Sequence, residues 1–79
     1  MDWVVYILKC ADQTLYTGIT NDFAKRLTAH ENGSGAKYTK GRGPFEVVFQ
    51  EKFKTRSAAS KREYEIKRLS REEKLSLIA

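Results

Sequence analysis

Trp3-Val4-Val5-Tyr6-Ile7-Leu8-Lys9 and Thr14-Leu15-Tyr16-Thr17-Gly18-Ile19 are two short runs of β-branched, aromatic and aliphatic residues, separated by Cys10-Ala11-Asp12-Gln13. Such runs suit extended backbone, and the aspartate in the connector suits a turn. They predict a hairpin. Residues an even number apart on a strand share a face, so Tyr6 and Tyr16 can bring two phenols together on one side of the sheet. Tyrosine is also common in strands for packing alone, so the pair gains meaning only from what the rest of the chain adds.

Working outward, Thr20-Asn21-Asp22 supplies cap-type residues, and Phe23, Leu27 and His30 follow at i, i+4 and i+7. A helix is predicted from about Asp22 to Glu31, stopped by Asn32-Gly33. Pro44-Phe45-Glu46-Val47-Val48-Phe49-Gln50-Glu51 reads as a third strand. Thr55-Arg56-Ser57 opens a second helix with Ala59, Ile66 and Leu69 as its apolar stripe. Ser70-Arg71-Glu72-Glu73 has capping-box spacing, so a last helix begins there and carries Leu75, Leu77 and Ile78. The order is β-β-α-β-α-α, without internal repeats or low-complexity tracts.

Composition limits the choices. The 79 residues allow one domain, spanning 1–79, that buries roughly 60% of the surface of its unfolded chain. An elaborate multi-site enzyme is excluded. Hydrophobic residues make up 41% of the chain, with four Tyr, four Phe and one Trp, too many for a disordered tail. The one cysteine, Cys10, cannot form an internal disulfide, and without a Cys/His cluster a structural zinc site is not expected. The first apolar run is too short to span a bilayer or to act as a signal sequence. These features give the expectation of a cytoplasmic protein with no membrane and no obligatory protein partner.

Fifteen basic against ten acidic side chains leave a formal charge of +5 and a pI near 9.5, a mild signal for polyanions. The stretch from Gly33 to Pro44 contains Lys37, Tyr38, Lys40 and Arg42 and no acid. It reads as a flexible cationic loop suited to phosphates and an unstacked base, or equally as a solvated surface loop. Arg26 and His30 lie one helical turn apart, on a face bordering the Phe23/Leu27 stripe. The alternative for this pair is an arginine reaching to solvent and a histidine cation at a helix C-terminus. Glu63, four residues after Ala59 and three before Ile66, is placed within the apolar stripe. A carboxylate there needs a partner: Arg62, Lys67 or Arg26 as a structural pair, or a hard cation that fills its remaining shell with water and phosphate oxygens.

Val4-Val5-Tyr6 and Tyr16-Thr17-Gly18, followed in order by Arg26, His30 and Glu63, resemble the GIY-YIG nuclease superfamily over nearly the whole chain. Leu15-Tyr16-Thr17-Gly18-Ile19-Thr20, Gly35-Ala36-Lys37-Tyr38-Thr39 and Arg62-Glu63 with Ile66-Lys67 resemble its small stand-alone bacterial branch. The triplets are degenerate singly, and specific in this order and spacing. The resemblance implies an α+β fold, a small three-stranded antiparallel sheet flanked by helices. It also implies catalytic roles for Tyr6, Tyr16, Arg26, His30 and Glu63, with Glu63 as the ligand of one divalent metal, Mg²⁺ or Mn²⁺. Gly18 would allow close backbone approach beside Tyr16. Lys37, Tyr38, Lys40 and Arg42 would contact DNA.

The chain departs from the pattern in two ways. Only the tyrosine of the first triplet is literal, and Ile19 and Thr20 stand where some relatives carry a lysine that would lower a phenol's pKa. Lys37 or His30 would have to substitute. Many relatives add a DNA-targeting domain, and the absence of one here leads to an expectation of structured or damaged DNA as substrate over a defined sequence. The reading is a metal-dependent DNA endonuclease. The alternatives are a nucleic-acid-binding module of the same fold, separable by its indifference to metal, and a protein-interaction adaptor, separable by weak, salt-insensitive contact with DNA.

Overall fold

A computed structural model describes residues 2–79. Strands β1 (Trp3–Lys9), β2 (Leu15–Thr20) and β3 (Glu46–Phe53) form one antiparallel sheet in the order β2-β1-β3. Helix α1 (Phe23–Glu31) follows β2, and α2 (Arg56–Lys67) and α3 (Arg71–Ile78) follow β3. The order and class are those predicted. The most apolar run takes the centre, where both faces and both edges are covered: Val4 to Leu8 are all buried.

Alternation along β1 divides the core into two layers. Val5 and Ile7 face Ala59 and Ile66 of α2, with Leu77 and Ile78 of α3 packed at the margin. Val4, Tyr6 and Leu8 face the other way, against Tyr16, Phe23, Leu27, Phe45 and Val47. Leu75, expected with Leu77 and Ile78, is 43% exposed instead. Four residues cover just over one helical turn, and the other two already fill the margin of the core.

Helix starts follow local chemistry. Asp22 caps α1 rather than lying within it, accepting from Lys25 N at 3.2 Å. Thr55 caps α2, and Ser70 with Glu73 forms the expected capping box. The third strand is shifted by two residues, from the predicted Pro44–Glu51 to Glu46–Phe53. The central strand explains the shift, because pairing runs from Trp3–Phe53 to Lys9–Glu46, with one irregularity between Ile7 and Leu8. Lys52 and Phe53 join the ladder because β1 extends far enough to pair with them.

Candidate active site

Tyr6 lies opposite Gly18 and Leu8 opposite Tyr16, which puts both phenols on the α1 face. Their ring centroids are 6.3 Å apart. A Cβ on Gly18 would stand 2.6 Å from the Tyr6 hydroxyl oxygen, 2.8 Å from its Cζ and 3.1 Å from Tyr16 Cε2. The glycine therefore makes room chiefly for the Tyr6 phenol, which lies across the neighbouring strand, and less for Tyr16. Any larger residue would push that phenol out of place.

His30, in the last turn of α1, is 1% exposed. Its ring sits edge-on to both phenols, at 5.8 Å from Tyr6 and 5.2 Å from Tyr16. Nε2 is 2.8 Å from the Tyr6 hydroxyl, and Nδ1 is 2.8 Å from Thr39 Oγ1. Burial, aided by the nearby Arg26 charge, pushes its pKa below the ordinary value of 6.5. The histidine is thus a neutral hydrogen-bonding group inside the layer, not a helix-terminal cation at its edge.

Burial also raises the Tyr6 pKa; Arg26 opposes the rise, while Tyr16 and Glu63 add to it. Its interaction with the Tyr6 oxygen holds Arg26 above its ordinary pKa, against a smaller opposing effect of burial. The arginine stays charged beside two phenols. Glu63 is at the rim of the α2 stripe rather than within it, its side chain 23% exposed and 3.2 Å from Lys67 Nζ. Its charge nevertheless reaches Tyr6. Tyr6, Tyr16, Arg26 and His30 are thus brought together on the α1 face, whereas Glu63 belongs to α2, the helix packed against the other face, and is joined to them through its charge on Tyr6.

Among the described residues no group of three His, Cys, Asp or Glu side chains is placed to hold a metal. The donor set is the single carboxylate of Glu63, whose ion-pair partner among the described residues is the exposed Lys67 ammonium. That set fits a hard cation such as Mg²⁺, which commonly takes one or two carboxylates and completes its shell with water and phosphate oxygens.

The glycine-rich loop is pinned rather than free. Arg42 N donates to the Thr39 carbonyl, and Ala11 N donates to the Arg42 carbonyl. The Arg42 side chain donates from Nε to the Tyr38 carbonyl at 2.7 Å and pairs with Asp12. Its guanidinium also lies 4.5 Å from the Tyr38 ring centroid. Arg42 is therefore a clasp between the loop and the hairpin turn. Tyr38 is 44% exposed and stacks on Tyr16 at 5.9 Å, and Lys37 and Lys40 remain exposed. Leu15, Tyr16, Thr17, Tyr38, Lys67 and Lys74 line a cleft of about 290 Å³ beside the phenols, and Arg26 lines another of about 420 Å³ with Thr20 and Lys25. Thr39 and Gly35, at the buried root of the loop, were absent from the sequence-based set. Their signal was the likeness of Gly35-Ala36-Lys37-Tyr38-Thr39 to the small bacterial branch, which gave neither residue a role.

This sheet and site define a nuclease-type domain. The GIY-YIG catalytic domain family matches residues 2–76, and the chain belongs to that family, which is one of nucleases. It is similar to a UPF0213 protein of Oceanobacillus iheyensis, 61% identical over 74 residues that cover 94% of this chain and 86% of the other. Two solved structures share its fold. A UPF0213 protein of Bacillus halodurans matches with a TM-score of 0.65 and 47% identity over 99% of this chain and 83% of the other. A protein of E. faecalis matches with a TM-score of 0.66 and 38% identity over 98% and 83%.

Proposed function

We propose that this chain is a divalent-metal-dependent endonuclease that hydrolyses DNA phosphodiester bonds. The observation that carries the reading is the 2.8 Å contact of the Tyr6 hydroxyl with Nε2 of a buried, neutral His30, beside the Arg26 charge. An attacking water gives a proton to the Tyr6 oxygen as the Tyr6 proton passes to His30 Nε2. The water oxygen bonds to phosphorus, and the bond to the leaving sugar oxygen breaks. Arg26 holds the phosphate and offsets the charge gained in the transition state. Glu63 would hold a divalent cation, Mg²⁺ or Mn²⁺, which would supply Lewis-acid stabilisation of the leaving oxygen. Tyr16 orders the site through its contacts with His30 and Tyr38. These groups address a phosphate and its charge, not base edges, so DNA shape or damage is the expected discriminator over sequence.

One observation favours a second reading, a nucleic-acid-binding module. No ammonium occupies Ile19 or Thr20, and the Thr20 hydroxyl accepts from Asp22 N at 3.0 Å. Cleavage of plasmid, single-stranded and branched DNA in Mg²⁺, Mn²⁺ and chelator separates the two. Metal-dependent nicking is expected. DNA binding without cleavage of any substrate would establish the module instead.

A further inference from the structure

A threonine hydroxyl has one proton and can donate once, although it can accept through two lone pairs. Thr39 Oγ1 lies 2.9 Å from the Ala36 carbonyl oxygen, which can only accept, and 2.8 Å from His30 Nδ1. With its proton on Ala36, the hydroxyl can only accept from the ring, so Nδ1 carries the hydrogen. A neutral imidazole has a single N–H, which leaves a lone pair on Nε2, facing the Tyr6 hydroxyl at 2.8 Å. The phenol must donate. The bonds run in one direction, from Tyr6 to His30, from His30 to Thr39, and from Thr39 to Ala36.

The opposite polarity is worse for the same atoms. If Thr39 donated to Nδ1, the Ala36 carbonyl would keep only the Thr39 backbone N–H, at 3.1 Å. The Nε2–H would then point at the Tyr6 oxygen and turn the phenol proton away from its acceptor. Water is poorly placed to repair the loss at the Ala36 end, because His30 and Thr39 are each 1% exposed. The loop root is built to hold this contact: a Cβ on Gly35 would stand 2.6 Å from His30 Nδ1, so only a glycine lets the backbone close over the ring.

We infer that Thr39 is a positioning residue that locks His30 in the Nδ1–H tautomer, keeping Nε2 open to receive the Tyr6 proton. The tautomer itself is independent of catalysis; its use as a proton acceptor rests on the nuclease reading. His30 is the chain's single histidine, so long-range ¹H–¹⁵N spectra of the labelled protein, above the pH at which the ring is protonated, report on it alone. The wild type is expected to show a pyrrole-like Nδ1 and a pyridine-like Nε2. Thr39→Val and the smaller Thr39→Ala should lose this pattern, and Thr39→Ser should keep it. In a DNA-cleavage assay, Thr39→Val should lower kcat on the order of tenfold or more, with KM little changed and Ser restoring the rate.

A wild-type ring protonated mainly on Nε2 would overturn the inference, whether or not any variant folds. So would a folded Val or Ala variant that keeps Nδ1–H, or a folded Ser variant that loses it. If the tautomer pattern holds and no DNA is cut, the nuclease reading fails while the positioning role stands.

Discussion

On the α2 side of the sheet, Val5 and Ile7 meet Ala59 and Ile66, and all four are fully buried in an apolar cluster. On the α1 side the same strand presents Tyr6 between Val4 and Leu8, and the layer is closed by His30 and Thr39. The first contact set is non-directional and tolerates small shifts; the second works only if each hydrogen bond points the right way. Among the described residues no buried side-chain nitrogen or oxygen lacks a partner, so the polar layer is held without an orphaned group. A two-residue period therefore lets one strand stabilise the fold on one side and present chemistry on the other. Substitutions on the two faces should separate stability from activity.

The widest separation is expected between two residues of the same helix. Ile66→Ala removes a fully buried side chain and should cost about 2–5 kcal/mol of stability. Glu63→Ala should cost little, because its carboxylate is at the rim and its i,i+4 pair with exposed Lys67 is worth about 0.3–0.5 kcal/mol. Even so, Glu63→Ala and excess chelator are each expected to abolish cleavage. Denaturant unfolding beside plasmid nicking checks both halves. A destabilisation of Glu63→Ala as large as that of Ile66→Ala would make the carboxylate structural, and full cleavage in chelator would sink the one-metal mechanism.

Within the polar face the effects should grade by distance from the reacting phosphate. Arg26→Ala should slow cleavage on the order of 10²-fold or more, since a charge aimed at the phosphate acts most strongly in the transition state. Tyr6→Phe should slow cleavage more than Tyr16→Phe. It should also cost stability, about 1–3 kcal/mol, because it leaves buried His30 Nε2 unpaired. Single-turnover rates and melting curves of the three variants test this. A larger rate loss in Tyr16→Phe would move the proton-accepting role to the outer phenol.

The apolar face was far more legible in the sequence than the polar one. Alternation in the two hairpin runs and the Ala59/Ile66 spacing suffice to place a non-directional core. The tyrosines, Arg26, His30 and Glu63 could be selected from order and spacing, but their states could not. The burial of His30 depends on a loop nine residues downstream whose Thr39 and Gly35 carry no charge or periodicity to mark them. Arg42 looked like a free cation because its partner, Asp12, lies thirty positions away in a turn. Glu63 was placed too deep because helical spacing gives a direction but not how far the sheet edge extends beneath it.

The neutral state of His30 gives a pH test of the polar face. The charged groups facing it are Arg26 and, when ionised, Tyr6 and Tyr16; Thr39 and Phe45 are uncharged. Its folded pKa lies below the unfolded value of about 6.5, so the unfolded chain binds more protons in the window between them. The stabilisation it provides is complete above about pH 6.5 and is lost as pH falls through the folded value. Cleavage should fall with the same protonation, because an imidazolium cannot take the Tyr6 proton. The acidic limb of the rate profile and the His30 NMR titration should therefore coincide below 6.5. A histidine titrating above that value would contradict the buried neutral ring.

The smallest effect concerns the loop that joins the two readings of DNA contact and structural clasp. Lys37 and Lys40 are exposed, whereas the Arg42 guanidinium is occupied by Asp12 and the Tyr38 ring. Each phosphate neutralised by a lysine on duplex DNA contributes a slope of roughly −0.9 in log K against log salt. Changing both lysines to Ala should make the slope shallower by about two units, while the rate at saturating DNA changes little, because neither lysine is assigned to the chemical step. Arg42→Ala should alter the slope by much less than one such contact and should instead loosen the loop root, visible as faster amide exchange near Thr39. A full unit of slope lost on Arg42→Ala would show that DNA displaces Asp12 and recruits the arginine. An unchanged slope in the double lysine variant would move the DNA-binding surface elsewhere, most directly to Lys61, Arg62, Lys67 and Arg68 of the second helix and its end.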